Sequence, residues 1–518
     1  MKLIAKKDVV GLIGDGAAVC AAGFIGCAHP QTLSSAIEES FLATGHPKNL
    51  TYLFSAGIGD NKDRGNNYYG HKGLIKRVIG GHYATAPRLG KVISDNEVEA
   101  YNLPQGVIAH LFRASAGKKP GVLTKVGLNT FVDPRLEGGK LNAKTVEDVV
   151  EVMSVNGEEY LFYKAFKVDV ALVRASTADE KGNLTMEREG AIPEAFEMAA
   201  AAKANGGIVI AEVERLAAAG SLAPQNIRIP GALVDYVVIG DHDKFMQTNG
   251  EYYNPAYTGE IKAPLSEFVP MPLNQRKVIA RRAAMEVAPH CNINLGIGMP
   301  EGVAAVAAEE GFSDTLMMTV ESGSFGGVPA GGDSFGATMN PESTISHAGM
   351  FDFYDGGNLA VTCLGMAEVD SAGNLNVSKF GPKIAGCGGF INISQNTPKI
   401  VFCGTLTAGG LKTEIKDGRL VILQEGRKKK FVPKVEQITF SADFAKKHGQ
   451  KVLYITERAV FELGEKGLVL TEIAPGVELQ KDVLDQIDAD VAVAKDLKTM
   501  DERIFRPELM GLAADFAE

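Results

Sequence analysis

The chain has 518 residues, room for two large or three to four ordinary domains at roughly 150 residues each. Its 45% hydrophobic and 22% charged residues exclude a disordered tail, and its 59 glycines lack the three-residue period of a collagen. A formal net charge of −10 excludes the overall basic footprint of a protein that grips nucleic acid.

The opening segment MKLIAKKDVV is interrupted by Lys6, Lys7 and Asp8, so no secretory h-region is expected there. No later stretch reaches the ~18 uninterrupted apolar residues of a membrane helix. The expectation is a cytoplasmic protein without membrane contact. Residues 15–39 then read as a short apolar strand, a Gly-containing turn ending at Pro30, and a helix closing on Glu38-Glu39. Residues 49–60, NLTYLFSAGIGD, give a second strand and a Gly turn. Residues 168–186 give an apolar strand followed by Asp-x-x-Gly-Asn, and Ile192–Ala204 is predicted helical. The runs GIVIAEV and YVVIG are near-continuously apolar, as strands covered on both faces are.

Residues 241–277 are polar and aromatic, carry four prolines and lack periodicity, so they read as a linker. An Ala- and Arg-rich helix, Gln275 to Val287, opens the second half. Residues 289–310 repeat the pattern of 15–39, residues 359–377 that of 168–186, and residues 398–412 that of 206–222. Three matched blocks in one order predict two related open α/β domains with mostly parallel sheets, 1–240 and 278–518. Residues 413–432, with Asp417-Gly418 and Glu425-Gly426, are predicted to form a small antiparallel meander.

The most informative stretch is 315–337. An apolar strand delivers Glu321, and Gly323, Gly326, Gly327, Gly331, Gly332 and Gly336 come after it. The carboxyl ends of strands are where open α/β sheets bind ligands, and a carboxylate there can serve as base, metal ligand or nucleophile. It could equally be a turn carboxylate that satisfies nearby N–H groups. The matching strand end in the first half carries Ser55-Ala56, which favours a site-specific group over a structural one. Two further Gly clusters could hold an oxyanion or a phosphate: Gly296–Pro300 (with Ile297, Gly298 and Met299), and Gly386, Gly388 and Gly389. Neither a dinucleotide fingerprint nor a P-loop is present. The six cysteines form no C-x-x-C pair and the histidines no ligand spacing, so buried thiols and no metal site are expected.

With these residues the chain resembles the family I coenzyme A transferases, most closely the single-chain propionate or acetate group. The family's first signature is matched by Asp15-Gly16 and by Gly23-Phe24 through Pro30, with Ala22 and Ala28 replacing two glycines. The second is matched by Glu321-Ser322-Gly323, and 101–106, 120–135, 381–399 and 435–440 are also similar. The resemblance implies covalent ping-pong transfer of CoA between short-chain carboxylates, through a glutamyl-CoA thioester on Glu321. Gln105 and Gly389 (or Gly388) would form the oxyanion hole. Gly296–Pro300 and Gly386 would contact CoA, with Gly23, Phe24 and Ala28 lining the acyl pocket. It implies CoA as substrate, no permanently bound cofactor, and a homo-oligomer (dimer or tetramer). An acidic protein needs local cations for the CoA phosphates, for which Lys379, Lys383 and the run Arg427–Lys430 are candidates. An acyl-CoA hydrolase at the same site, or a non-catalytic module sensing acyl-CoA or sugar phosphate, are the other readings.

Overall fold

Each half of the chain builds its own ten-stranded sheet, the first from residues 2–239 and the second from 292–499. The structure is a computed structural model and describes residues 1–264 and 270–516. Five strands recur in the same order in both sheets. In the first they are Tyr236–Ile239, Ile208–Ala217, Val170–Asp179, Ala18–Ala21 and Leu50–Phe54. In the second they are Lys451–Ile455, Lys399–Cys403, Val361–Gly365, Asn292–Leu295 and Met317–Thr319. Every neighbouring pair among them is parallel. The strands are Val-, Ile- and Leu-rich because helices and loops cover both faces, so no alternation survives. Two buried apolar clusters fill the first half and two the second.

The sheets differ beyond that common core. In the first, Ile75–Gly80 and Glu99–Asn102 continue the parallel order past Leu50–Phe54. In the second, Met317–Thr319 is followed by short antiparallel returns at Ser324–Phe325 and Ser343–Thr344. A long antiparallel pair, Ala459–Gly464 with Gly467–Ile473, extends the other edge.

The helix expected from Ile192 begins at Ala195 instead. Pro193 cannot donate to a helical ladder, and the Ile192 carbonyl is taken by His347 N at 2.8 Å. The predicted meander shortens to one hairpin, Lys412–Lys416 with Arg419–Gln424. Asp417 and Gly418 both have positive φ, 51° and 72°, which a two-residue turn of this hand requires. After Gly426 the chain leaves the hairpin and Lys428–Lys429 pairs with Thr407–Ala408. A three-stranded antiparallel sheet in the first half (Gly121–Thr124, Glu158–Lys164, Val150–Val155) was not foreseen. Its turn, Asn156-Gly157, carried the same signal as Asp417-Gly418.

The described part of 241–277 holds no strand. It is nonetheless bonded to both halves. Asn249 Nδ2 donates to Gly59 O at 2.8 Å, and the Ala263 N–H donates to Asn340 Oδ1 at 2.8 Å. Residues 265–269 of the expected linker lie outside the described residues. The helix Gln275–Ala284 starts within the expected linker, capped by the Asn274 side chain.

Candidate active site

The carboxyl ends of strands from both sheets meet around one cavity of about 330 Å³. From the first half come Phe24 after Ala18–Ala21, Gly57 after Leu50–Phe54, His82 after Ile75–Gly80 and Gln105 after Glu99–Asn102. From the second come Gly296 after Asn292–Leu295, Glu321 after Met317–Thr319, and Leu364 to Ala367 around the end of Val361–Gly365. The loop Gly386–Phe390 forms the remaining wall. Parallel strands that all end on one side necessarily gather their loops there, which is why residues 300 positions apart converge.

Glu321 follows Val320, where the chain turns back on itself. The Gly323 N–H donates to Val320 O at 2.9 Å, and Val320 N donates to Ser324 O at 3.1 Å. Gly323 has φ +116°, and a Cβ on it would lie 2.0 Å from Ile345 O, so only glycine fits. Ser322 Oγ donates to Gly336 O at 2.6 Å, which ties the turn to the end of the Gly-rich stretch. The Glu321 Oε2 atom is buried and has no hydrogen-bond partner. Burial pushes the carboxyl above its ordinary range, and His347 and Asn294 oppose that rise.

Gln105 opens the helix Gln105–Ala116 and is buried at 4% exposure. Its backbone N–H donates to Gly388 O at 2.9 Å, which joins the first half to the Gly loop. The Gly388 N–H donates to Gly81 O at 2.7 Å. Among the described residues, no group accepts from the Gly389 N–H. A Cβ on Gly389 would lie 3.3 Å from Glu321 Cγ and 3.0 Å from Phe351 Cζ. Glycine at 389 therefore lets the backbone lie against the Glu321 side chain. The Gly386 site is as tight, since a Cβ there would lie 2.9 Å from Gly81 O.

Of the residues singled out from sequence, Glu321, Gln105, Gly389, Gly388, Gly386, Gly296, Ile297 and Phe24 line the cavity. Gly298, Met299 and Pro300 turn away from it. Arg276 Nη2 donates to Gly298 O at 2.6 Å, Met299 packs on the second core, and Pro300 is buried. Gly23 and Ala28 do not line the cavity either. A Cβ on Gly23 would meet His29 at 3.0 Å, and Ala28 is fully buried at φ 53°, a conformation that suits the glycine it replaces.

Lys379 and Lys383 stand on a hairpin between Val377 and Gly386, both cavity residues, and form no ion pair among the described residues. The run Arg427–Lys430 is engaged elsewhere. Arg427 Nε donates to Gly409 O at 3.1 Å, Lys428 pairs with Glu368 at 3.3 Å, and Lys429 pairs with Asp488 at 2.8 Å. Lys430 is buried, which pulls its ammonium down to about 8.

Several cavity residues were not singled out from sequence. His82 is half-buried, with its ring pulled down to about 4 by desolvation and its buried Nδ1 without a partner. Phe335, Leu364, Met366 and Phe390 supply an apolar wall. Lone histidines and scattered apolar residues carry no spacing signal. The Gly80-Gly81 pair directly before His82 was the one available hint. No group of three or more His, Cys, Asp or Glu side chains suited to a metal occurs among the described residues. All six cysteines are free and buried. No helix among the described residues is long and apolar enough to cross a membrane.

Two α/β halves bring their strand ends together around the Glu321 carboxyl, and likeness to known proteins says which class of enzyme this is. Residues 3–240 match the family model described as coenzyme A transferase, and the whole chain belongs to the coenzyme A transferases. It is 48% identical to a caffeate CoA-transferase of Acetobacterium woodii over 99% of this chain and 98% of that one. It is 44% identical to the acetate CoA-transferase YdiF of Escherichia coli (strain K12), over 98% and 96% of the two chains. The acyl-CoA transferase YdiF of Escherichia coli O157:H7, solved as the apoenzyme, superposes with TM-score 0.94 at 43% identity. That match covers 98% of this chain and 97% of the other, and a thioester complex of the same protein with CoA gives TM-score 0.92.

Proposed function

We propose that this CoA-transferase exchanges CoA between short-chain carboxylates through a covalent glutamyl-CoA thioester on Glu321. The observation that carries the reading is the Glu321 carboxylate facing a largely apolar cavity, with the Gln105 amide and the Gly389 N–H on its walls. Glu321 attacks the acyl-CoA carbonyl carbon, forming a mixed acyl-glutamyl anhydride and releasing CoA thiolate. The thiolate attacks the glutamyl carbonyl, forming the glutamyl-CoA thioester and releasing the first carboxylate. A second carboxylate runs both steps in reverse. Each addition places negative charge on a tetrahedral oxygen, and the two donors answer that charge. Both intermediates stay activated only while water is kept out, which the apolar walls favour.

The size of the cavity supports a short acyl group, since the thiol end of CoA must share the same ~330 Å³. Phe24, Phe335 and Phe390 on its walls favour a second reading, an aromatic acyl group such as the one in the name of the Acetobacterium relative. Lys379 and Lys383, on the hairpin between the cavity residues Val377 and Gly386, suit the CoA phosphates.

Incubation with acyl-CoA and no acceptor should add CoA to the peptide that carries Glu321, read by mass spectrometry. An unmodified peptide overturns the mechanism. CoA release that needs no carboxylate acceptor would make the protein a hydrolase. Because burial raises the Glu321 carboxyl, adduct formation should rise with pH through a limb above the usual carboxylate range. Rates with acyl chains from acetyl to hexanoyl, set against an aryl-acrylyl-CoA, separate the two acyl classes.

A further inference from the structure

Three helices from both halves meet behind the Glu321 cavity. Gln105–Ala116 comes from the first half, and His347–Asp355 and Phe390–Asn396 come from the second. Gly389 directly precedes the third helix. The two oxyanion donors, Gln105 and Gly389, therefore stand at helix starts contributed by different halves. Their separation depends on how those starts are joined.

The joint is made at two points. The first N–H groups of a helix have no partner inside it. In Gln105–Ala116 the first two are both taken by the other half. Gln105 N donates to Gly388 O at 2.9 Å, and Gly106 N donates to Asn392 Oδ1 at 3.1 Å. One acceptor precedes Gly389 in the chain and the other follows it, so the two bonds straddle it. One bond alone would let the helix starts pivot about each other. A backbone N–H can only donate, which fixes the orientation of the Asn392 amide. Its Nδ2 donates to Asp355 Oδ1 at 2.9 Å and to Oδ2 at 3.2 Å. Asp355 closes the helix His347–Asp355, so this one side chain binds all three helices.

The packing around it is tight. Phe351 is fully buried between two glycines. A Cβ on Gly106 would lie 2.3 Å from Phe351 Cδ1 and 2.6 Å from Asn392 Nδ2, and one on Gly389 would lie 3.0 Å from Phe351 Cζ. Asn392 is itself fully buried and does not line the cavity. Other bonds dock the halves farther out. Arg113 pairs with Asp352 at 2.7 Å, and Gln395 Oε1 accepts from the Gly127 N–H at 2.6 Å. Asn392 is thus the contact next to the donors, and docking does not depend on it alone.

We propose that Asn392 is a positioning residue of the oxyanion hole, fixing the separation and angle between the Gln105 amide and the Gly389 N–H. The proposal rests on the reading of those two groups as donors. A preorganised pair needs no rearrangement when the tetrahedral oxygen forms, and a misplacement of about 1 Å can cost about 10²-fold in rate.

The test is single-turnover formation of the glutamyl-CoA adduct, followed by mass spectrometry as a rate and a final extent. Asn392→Ala should slow the rate about 10–100-fold and leave the extent near that of the wild type. A merely structural role would do the reverse, lowering the extent through unfolded protein at an unchanged rate. Because Asn392 acts through the donors, its loss should cost several-fold less in a Gln105→Ala background than alone. If Asn392→Ala fails to fold, an exchanged pair decides. Asn392→Asp keeps the acceptor for Gly106 but sets a carboxylate against Asp355, and should slow the adduct. Adding Asp355→Asn restores both bonds with the roles reversed, and the rate should recover to within about threefold of the wild type. A wild-type rate in Asn392→Ala, or an exchanged pair no faster than Asn392→Asp, overturns the proposal alone. No adduct in the wild type, or an unchanged rate in Gln105→Ala, overturns the reading on which it rests.

Discussion

The ends of two corresponding strands have opposite fates. Leu50–Phe54 in the first half and Met317–Thr319 in the second occupy the same place in the two sheets, each beside the strand that opens its repeat. The first ends at Ser55, buried at 1% exposure and bonded to Glu194. The second leads through Val320 to Glu321, whose side chain faces the cavity. The next strand explains the difference. Ile75–Gly80 runs parallel beyond Leu50–Phe54, and the chain after it brings Gly81 and Gln105 down over Ser55; a Cβ on Gly81 would lie 2.1 Å from Ser55 O. Beyond Met317–Thr319 there is only the short antiparallel return at Ser324–Phe325, so the turn at Glu321 stays open. A carboxylate does stand beside Ser55, but it is Glu194, and it is sealed into a polar chain with His347 and Gln105. One copy's strand end is sealed into the support, while the other presents to the cavity the carboxylate proposed to react.

The hardest way to break this division is to remove or exchange the two groups. Glu321→Ala should lower CoA exchange by about 10⁴-fold or more, measured as CoA transfer to an added carboxylate. The exchanged double variant Ser55→Glu with Glu321→Ser should not recover it, because residue 55 has no line to the cavity. Ser55→Glu alone would set a second carboxylate against Glu194 in a dry site. It should cost about 3–5 kcal/mol, seen as a lower denaturation midpoint. A double variant with substantial exchange would mean that the two strand ends are interchangeable.

Gln105→Ala tests whether the first half contributes to the chemistry or only to the walls. Loss of one oxyanion donor should lower kcat about 10²–10³-fold, with a smaller change in KM. An unchanged kcat would leave the first half a scaffold.

How much of this was legible depended on distance along the chain. The repeat, the parallel sheets and the exceptional Glu321 are local patterns: apolar runs, Gly turns, and one carboxylate present in one copy. Gln105 read as an ordinary polar residue after Pro104 until the resemblance singled it out. Its role depends on Gly388 and Asn392, more than 200 positions away, which no local pattern encodes. Asn392 was missed for the same reason. The Gly296–Pro300 turn was legible only in part. Its first two residues reach the cavity, while Arg276 holds the carbonyl of Gly298 and the second core takes Met299. The partners that Arg427, Lys428 and Lys429 take, Gly409, Glu368 and Asp488, were not legible from the basic run alone.

The mildest comparison lies at two turns far from the cavity. Asn156-Gly157 in the first half and Asp417-Gly418 in the second both place two consecutive residues at positive φ, with the glycines at 83° and 72°. A Cβ on either glycine would meet nothing within 4 Å, so no clash contributes. Gly157→Ala and Gly418→Ala should therefore each cost only the left-handed backbone penalty, about 1–2 kcal/mol. Denaturation midpoints would read that loss, and CoA exchange at low temperature should be unchanged. A larger loss at Gly157 than at Gly418 would mean that its hairpin bears load for the first half. That hairpin packs Leu161 and Tyr163 into the first core, and Tyr163 Oη donates to Val126 O at 2.8 Å. The second-half hairpin contributes Leu420 to its core, with Ile415 packed against it. Equal losses would show two turns doing the same local work in halves whose active-site ends have diverged.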